Sequence, residues 1–113
     1  MSKISAGFIF LATLLLALKS FAEVPADAVW IDVRTPQEYA EGHLLQAKLI
    51  PFDGIEAGVS GLALAKNTPI YLYCRSGRRA EKAQHSLRVQ GYTNVTNAGG
   101  LGEARDLASE TER

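Results

Sequence analysis

The residues best suited to chemistry lie together in one short stretch, which contains the only cysteine of the chain, Cys74. The sequence from Cys74 onward is Cys-Arg-Ser-Gly-Arg-Arg, so Arg75, Arg78 and Arg79 lie close to the thiol along the chain. The thiolate is the nucleophile in cysteine chemistry, and cationic neighbours or a helix N-terminus lower a cysteine pKa from ~8.5 to ~3.5–7.5. The pattern therefore predicts a cysteine that is reactive at neutral pH.

The segments on either side of Cys74 predict a loop between a strand and a helix. Residues 69–73 form a β-prone apolar run, and residues 79–90 carry apolar side chains at helical spacing. Gly77 permits a tight turn, and a helix that begins near Arg78 adds the positive end of its dipole. We therefore expect an anion-binding loop around the sulfur. The alternative is a cysteine that acts as a small core residue, although three following arginines are poor neighbours for that role.

Strands and helices alternate along the rest of the chain. Residues 29–33 are a continuous β-prone run, typical of a strand that is buried on both faces. Thr35 and Pro36 predict a short helix that ends at Gly42. Four further elements are expected, namely a strand at 48–50, a loose helix within 53–65, a strand at Val95 and a helix at 101–109. The alternation predicts an α/β domain with a largely parallel central sheet flanked by helices, whose site lies beyond the carboxyl ends of the strands.

The N-terminal segment has the composition of a targeting sequence. Lys3 provides positive charge, residues 4–18 are mostly apolar, and residues 20–22 place small side chains at the positions that a signal peptidase inspects. The apolar run is shorter than the ~20 residues that a membrane-spanning helix needs. We therefore predict a signal peptide at residues 1–22 and one mature domain at residues 23–113, which is not membrane-bound after cleavage.

Composition limits the function further. The chain of 113 residues is 47% hydrophobic and 21% charged, as expected for one globular domain. Removal of Lys3 and Lys19 with the signal peptide leaves 10 of the 12 basic residues against 12 acidic residues. This balance does not suggest nucleic-acid binding. His43 has no second ligand at metal spacing, so neither a metal nor a cofactor is expected, and we expect a monomer.

Six segments, taken in order, resemble a single-domain rhodanese, similar to the small periplasmic thiosulfate sulfurtransferases of the phage-shock type. They are W-I-D-V-R at 30–34, E-Y-x-x-G-H at 38–43, I-P at 50–51, Y-C-R-S-G-R-R at 73–79, G-Y at 91–92 and N-A-G-G-L at 97–101. The resemblance covers nearly the whole predicted mature chain. It implies a rhodanese-like fold and a periplasmic location.

The resemblance also implies a reaction. Cys74 would attack the outer sulfur of thiosulfate, release sulfite and keep a persulfide, from which cyanide or a thiol takes the sulfur. The arginines would attract the thiosulfate dianion and stabilise the departing sulfite. The implied substrate-binding loop consists of the five residues after the cysteine, Arg75, Ser76, Gly77, Arg78 and Arg79. The partners implied are thus thiosulfate and a thiophilic acceptor.

Other matching residues have structural interpretations. Asp32 and Arg34 are expected to form a buried pair that holds the active loop, with direct catalysis as the alternative. His43 is expected to form a structural hydrogen bond. Residues 97–100 have the composition of a turn, and the resemblance places them near the active loop.

Two other functions remain open for a reactive Cys74. One is a non-catalytic persulfide carrier or thiol sensor that binds a partner protein. The other is a phosphatase-like enzyme. The loop from Cys74 to Arg79 has the length typical of the sulfurtransferases that the chain resembles, whereas the related phosphatases have a loop that is one residue longer. Tyr73 also stands where many cysteine phosphatases have histidine, so this function is the less favoured.

Overall fold

The computed structural model describes residues 24–111, and the predicted signal peptide at residues 1–22 lies outside this range. Four strands and four α-helices alternate along the described residues. They are β1 (Val29–Asp32), α1 (Pro36–Glu41), β2 (Lys48–Leu49), α2 (Ile55–Ser60), β3 (Ile70–Cys74), α3 (Arg78–Val89), β4 (Val95–Gly100) and α4 (Leu101–Thr111), with a 3-10 turn at Phe52–Gly54 before α2. No helix within residues 24–111 is long and apolar enough to cross a membrane.

The four strands form one parallel sheet in the order β2-β1-β3-β4. The predicted α/β class is therefore confirmed. In the two central strands, Asp32 is paired with Tyr73. The carboxyl ends of β1 and β3 consequently lie side by side, and the residues that follow both strands meet at one edge of the sheet.

Each face of the sheet is covered by helices, and the alternation of side chains along β3 decides which face the cysteine occupies. Ile70, Leu72 and Cys74 belong to the hydrophobic cluster that includes Ala80 and Ala83 of α3. Tyr73 belongs to the cluster on the other face, with α4 residues such as Ala104 and Ala108. Because successive strand side chains point to opposite faces, Cys74 lies on the face that α3 covers.

Helix α1 begins as its sequence predicts. The Thr35 hydroxyl accepts a hydrogen bond from the Glu38 amide at 3.2 Å, and the Glu38 carboxylate accepts one from the Thr35 amide at 3.1 Å. This reciprocal capping box satisfies two amides that a helix start leaves free. Pro36 occupies the first turn and Gly42 follows the last helical residue. None of the six residues of α1 is buried, so its ends matter greatly for its stability.

The structure differs from the sequence-based prediction at residues 97–100, which form the end of β4 and not a turn. Leu72 is paired with Asn97, but Cys74 is paired with Gly100, so β4 contains one extra residue at this point. Gly99 adopts a φ of +84°, and its amide donates to the Asn97 side chain at 2.9 Å. The asparagine and glycine chemistry of a turn is used here to build a bulge inside a strand.

Candidate active site

Cys74 is the last residue of β3 and is fully buried. The amide of Gly77 donates a hydrogen bond to its Sγ atom at 2.9 Å. Burial raises the pKa of the thiol, but hydrogen bonds from the amides of Ala80, Ser76, Gly77 and Arg79 lower it, and the net pKa is below the ordinary value. Backbone amides converge on one sulfur atom because the chain turns from β3 directly into α3.

Gly77 makes this convergence possible. It adopts a left-handed φ of +93° immediately before α3, a conformation that other residues adopt only at a cost. The side-chain amide of Asn97 donates to the Gly77 carbonyl at 2.9 Å and holds the turn against β4. The twelve-residue helix that follows directs its positive end at the sulfur. The loop thus combines amide donors and a helix dipole at one point, which favours an anion.

The three arginines that follow Cys74 lie in different environments. Arg79 is half-buried, and its guanidinium donates two hydrogen bonds to the Glu38 carboxylate at 2.7 and 3.0 Å. Its bond to Glu38 raises the pKa of Arg79, and the nearby Cys74 raises it further. Arg75 and Arg78 are exposed. Arg79 is therefore fixed beside the sulfur, whereas Arg75 and Arg78 extend from the rim of the loop.

Glu38 is the site residue that the sequence interpretation missed, since it appears there only as the first residue of the E-Y-x-x-G-H segment. Its carboxylate joins the cap of that helix to Arg79, and these bonds bring the capped end of α1 to the Cys74 loop. The hydrogen bond from Arg79 lowers the pKa of Glu38 to about 2, with help from Thr35 and despite partial burial. The E-Y-x-x-G-H segment marks Glu38 as a residue of interest, but it does not identify the partner, because Arg79 lies 41 residues further along the chain.

Asp32 and Arg34 form the buried pair that the sequence predicts, with Nη2 and Oδ2 2.7 Å apart. Arg34 Nη2 also donates to the Gly42 carbonyl at 2.7 Å, and its guanidinium lies 5.6 Å from the centre of the Tyr73 ring. The Tyr73 hydroxyl accepts from the Leu44 amide at 3.0 Å, and burial raises the pKa of Tyr73 to about 12. The pair therefore fixes the turn after α1 and the residue before Cys74.

The bulge of β4 forms one wall of the loop, which agrees with the expected position of residues 97–100. Gly100 lies so close to the loop that a Cβ atom there would be 2.6 Å from the Arg75 carbonyl oxygen. A cavity of about 530 Å³ opens beside this contact, and its lining includes Ser76, Gly77, Arg78, Asn97 and Glu103. The backbone of β4 at Gly100 therefore packs directly against the Cys74 loop, and no space remains there for a side chain.

His43 makes local contacts. Its Nδ1 lies 2.7 Å from the Tyr39 carbonyl oxygen, and its ring stacks on that of Tyr39 with the centres 3.5 Å apart. No group of three or more His, Cys, Asp or Glu residues in the described part of the chain could hold a metal ion. In this structure, His43 thus contributes to the turn after α1.

A buried cysteine that accepts hydrogen bonds from backbone amides at the carboxyl edge of a parallel sheet is typical of an α/β protein whose chemistry depends on a thiol. Comparison with known proteins identifies the family. The sequence model described as "Rhodanese-like domain" matches residues 15–103, and the chain belongs to that family. It is 38% identical over 96 residues to the thiosulfate sulfurtransferase PspE of Escherichia coli K12, an alignment that covers 83% of this chain and 89% of PspE.

Two further relatives extend this comparison. A sulfurtransferase of Allochromatium vinosum is 36% identical over 74 residues, which cover 66% of this chain and 67% of that protein. The solved structure of a rhodanese with anions from Escherichia coli aligns with a TM-score of 0.65 and 37% identity, over 67% of this chain and 89% of that one. At the level of the family, these relatives support sulfur transfer as the activity.

Proposed function

We propose that the protein is a thiosulfate sulfurtransferase in which Cys74 carries the transferred sulfur as a persulfide. The observation that carries this proposal is the position of the Cys74 sulfur among four backbone amides that lower its pKa, those of Ala80, Ser76, Gly77 and Arg79. A thiolate at neutral pH is the form that attacks a sulfur–sulfur bond. The similarity to a named thiosulfate sulfurtransferase over most of both chains supports thiosulfate as the donor.

The proposed reaction has two steps. The Cys74 thiolate attacks the outer sulfur of thiosulfate, the sulfur–sulfur bond of thiosulfate breaks, and sulfite leaves with the bonding electron pair. Cyanide or a thiolate then attacks the outer sulfur of the persulfide, which forms thiocyanate or a new persulfide and returns the electron pair to Cys74. Such a covalent intermediate predicts ping-pong kinetics.

The loop residues have separate tasks in this proposal. The amides of Ser76 and Gly77 stabilise negative charge on the sulfur. Arg75 and Arg78 are exposed at the rim and attract the thiosulfate dianion. Arg79 is already bonded to Glu38, so it supports the loop more than it binds the donor. Asp32 and Arg34 hold the neighbouring turn and Tyr73 in place.

A rapid-mixing measurement of sulfite tests the proposal. The wild-type protein should release about one sulfite per chain in a burst with thiosulfate alone, and many with cyanide present. Cys74→Ser should release none, while Ser76→Ala should retain the burst because its backbone amide is unchanged. If the mass of the wild type increases by one sulfur atom but no repeated turnover follows, the protein is a carrier. If the wild type releases no sulfite and hydrolyses an aryl phosphate, it is a phosphatase.

We also propose that residues 1–22 are removed on export and that residues 23–113 act in the periplasm as a monomer. The apolar run and the small residues before Glu23 support cleavage at this point. The mass of the protein from a periplasmic extract should correspond to a chain that begins at Glu23. A full-length mass, or retention in the cytoplasm, would contradict this proposal.

A further inference from the structure

A groove follows the outer side of α3 away from the Cys74 loop. Its first part has a volume of about 730 Å³ and includes Arg78, Arg79, Lys82 and His85 in its lining. Its second part has a volume of about 460 Å³ and extends from Lys82 to the segment before and within α2. Lys82 and Ser86 line both parts, so the two cavities adjoin.

The charge of the groove changes along its length. Near the loop, Arg78, Lys82 and His85 recur at the spacing of one helix face, and Glu81 is the acidic residue among them. At the far end, the lining includes Asp53 and Glu56 and no basic residue other than Lys82. A ligand with carboxylate near the loop and an ammonium group farther away would match this arrangement.

Lys82 lies at the junction of the two parts. Its ammonium group is 5.9 Å from the centre of the Phe52 ring, within the range of a cation–π interaction. The Phe52 amide donates to the Val33 carbonyl at 3.0 Å, immediately after β1. The aromatic wall of the groove is thereby attached to the same edge of the sheet as the Cys74 loop.

Size and access limit what the groove could hold. Both volumes lie in the range of ~300–1,000 Å³ that is typical of small-molecule sites. Cys74 exposes none of its surface, so an acceptor must reach its sulfur with a slender group. The side chain of a cysteine in a short peptide is such a group, and the peptide also carries carboxylate and ammonium charges.

We infer that this groove is the binding site for the sulfur acceptor, and that the acceptor is a small peptide thiol with carboxylate and ammonium groups; the inference rests on the proposed function. The carboxylate binds near Arg78 and Lys82, and the ammonium group binds near Asp53 and Glu56. The thiol loses its proton to solvent, its thiolate attacks the outer sulfur of the Cys74 persulfide, and the electron pair of the broken sulfur–sulfur bond returns to Cys74.

Steady-state kinetics with glutathione as the acceptor test the inference. Lys82→Ala should raise the KM for glutathione about three-fold, the size expected for one exposed charge contact. The KM for thiosulfate and the KM for dithiothreitol, an uncharged thiol, should remain unchanged. Lys48→Ala removes the same charge from an exposed position on β2 and is the matched control. An equal rise for dithiothreitol, a rise for thiosulfate, or no difference between the two variants would overturn the inference.

The acidic end has its own test. Glu56→Gln should raise the KM for glutathione about two-fold, as expected for one exposed charge contact, but leave the KM for N-acetylglutathione unchanged, because acetylation removes the ammonium charge. A similar rise for both thiols would contradict the assigned orientation.

Binding can be measured without turnover, which separates this inference from the proposed function. S-methylglutathione cannot accept sulfur, and its titration should shift the backbone amide signals of residues 52–57 and 78–86. The affinity should fall about three-fold in Lys82→Ala and remain unchanged in Lys48→Ala. No shifts in these segments would overturn the inference. Specific shifts in a protein that never releases sulfite from thiosulfate would support the groove while the proposed function fails.

Discussion

Two ion pairs lie near the Cys74 loop, and they differ in burial and in what they join. Asp32 and Arg34 are two residues apart, and their side chains are 0% and 8% exposed. Glu38 and Arg79 are 41 residues apart, and their side chains are 20% and 27% exposed. A buried charge is costly when its partner is lost, whereas an exposed pair adds little to stability. We therefore expect the first pair to maintain the fold and the second to hold the Cys74 loop against α1.

The largest effect should come from breaking the buried pair. Asp32→Ala leaves the Arg34 guanidinium without its carboxylate in a buried place, which should lower the free energy of unfolding by ~3–5 kcal/mol. Urea denaturation measures this change. Asp27 is exposed, and Asp27→Ala should change the same quantity by less than ~0.5 kcal/mol. A loss of less than ~1 kcal/mol for Asp32→Ala would remove the contrast between the two pairs.

Breaking the second pair should affect the reaction more than the fold. Glu38→Gln keeps the shape of the side chain but removes the charge that holds Arg79 beside the sulfur. Sulfite release should slow roughly ten-fold, because displacement of a catalytic loop by a fraction of an ångström is costly. The free energy of unfolding should fall by only ~1 kcal/mol. Glu41→Gln, an exposed change in the same helix, should affect neither measurement.

The dependence of stability on pH should also identify the second pair. The folded-state pKa of Glu38 is about 2, below its ordinary value of 4.5. The stabilisation from its ionised form is therefore complete above pH 4.5 and is lost as the pH falls from 4.5 to about 2. The difference in unfolding free energy between the wild type and Glu38→Gln should shrink over this interval. A difference that remains constant to pH 2 would contradict the assigned pair.

The smallest effect on the reaction should come from the cap of α1. Thr35→Ala removes the hydroxyl that accepts from the Glu38 amide and donates to Glu38 Oε1 at 3.2 Å, but both hydrogen bonds from Arg79 to the Glu38 carboxylate remain. The free energy of unfolding should fall by ~1 kcal/mol, as is common for an N-cap. Sulfite release should change less than two-fold, and Thr35→Ser should behave as the wild type. A ten-fold loss of rate in Thr35→Ala would mean that the cap, not the pair, positions Arg79.

The parts of the fold that depend on local pattern were predictable from the sequence. Residues 29–33 and 69–73 have the composition of buried strands, and the start of α1 follows from Thr35 and Pro36. The bulge at 97–100 was not predictable, because asparagine and glycine serve turns and bulges equally well.

The candidate site was predictable in its centre but not in its supports. The Cys74 loop is contiguous in sequence, so its glycine and the helix that follows it were visible. An anion-binding loop around the sulfur was expected for the same reason, but the particular amides that lower the pKa of Cys74 could not be identified, since a sequence does not give the directions of backbone amides. The bond between Glu38 and Arg79 joins distant parts of the chain, and no local pattern contains it.

The complete burial of Cys74 has a consequence for the protein at rest in an oxidising medium. A disulfide between two copies requires their sulfur atoms to approach to about 2.05 Å. Two folded chains cannot bring two such buried sulfur atoms that close, because the atoms that cover each sulfur would collide first. The thiol is therefore shielded from cross-linking between copies, although it is the only cysteine in the chain and has no internal partner.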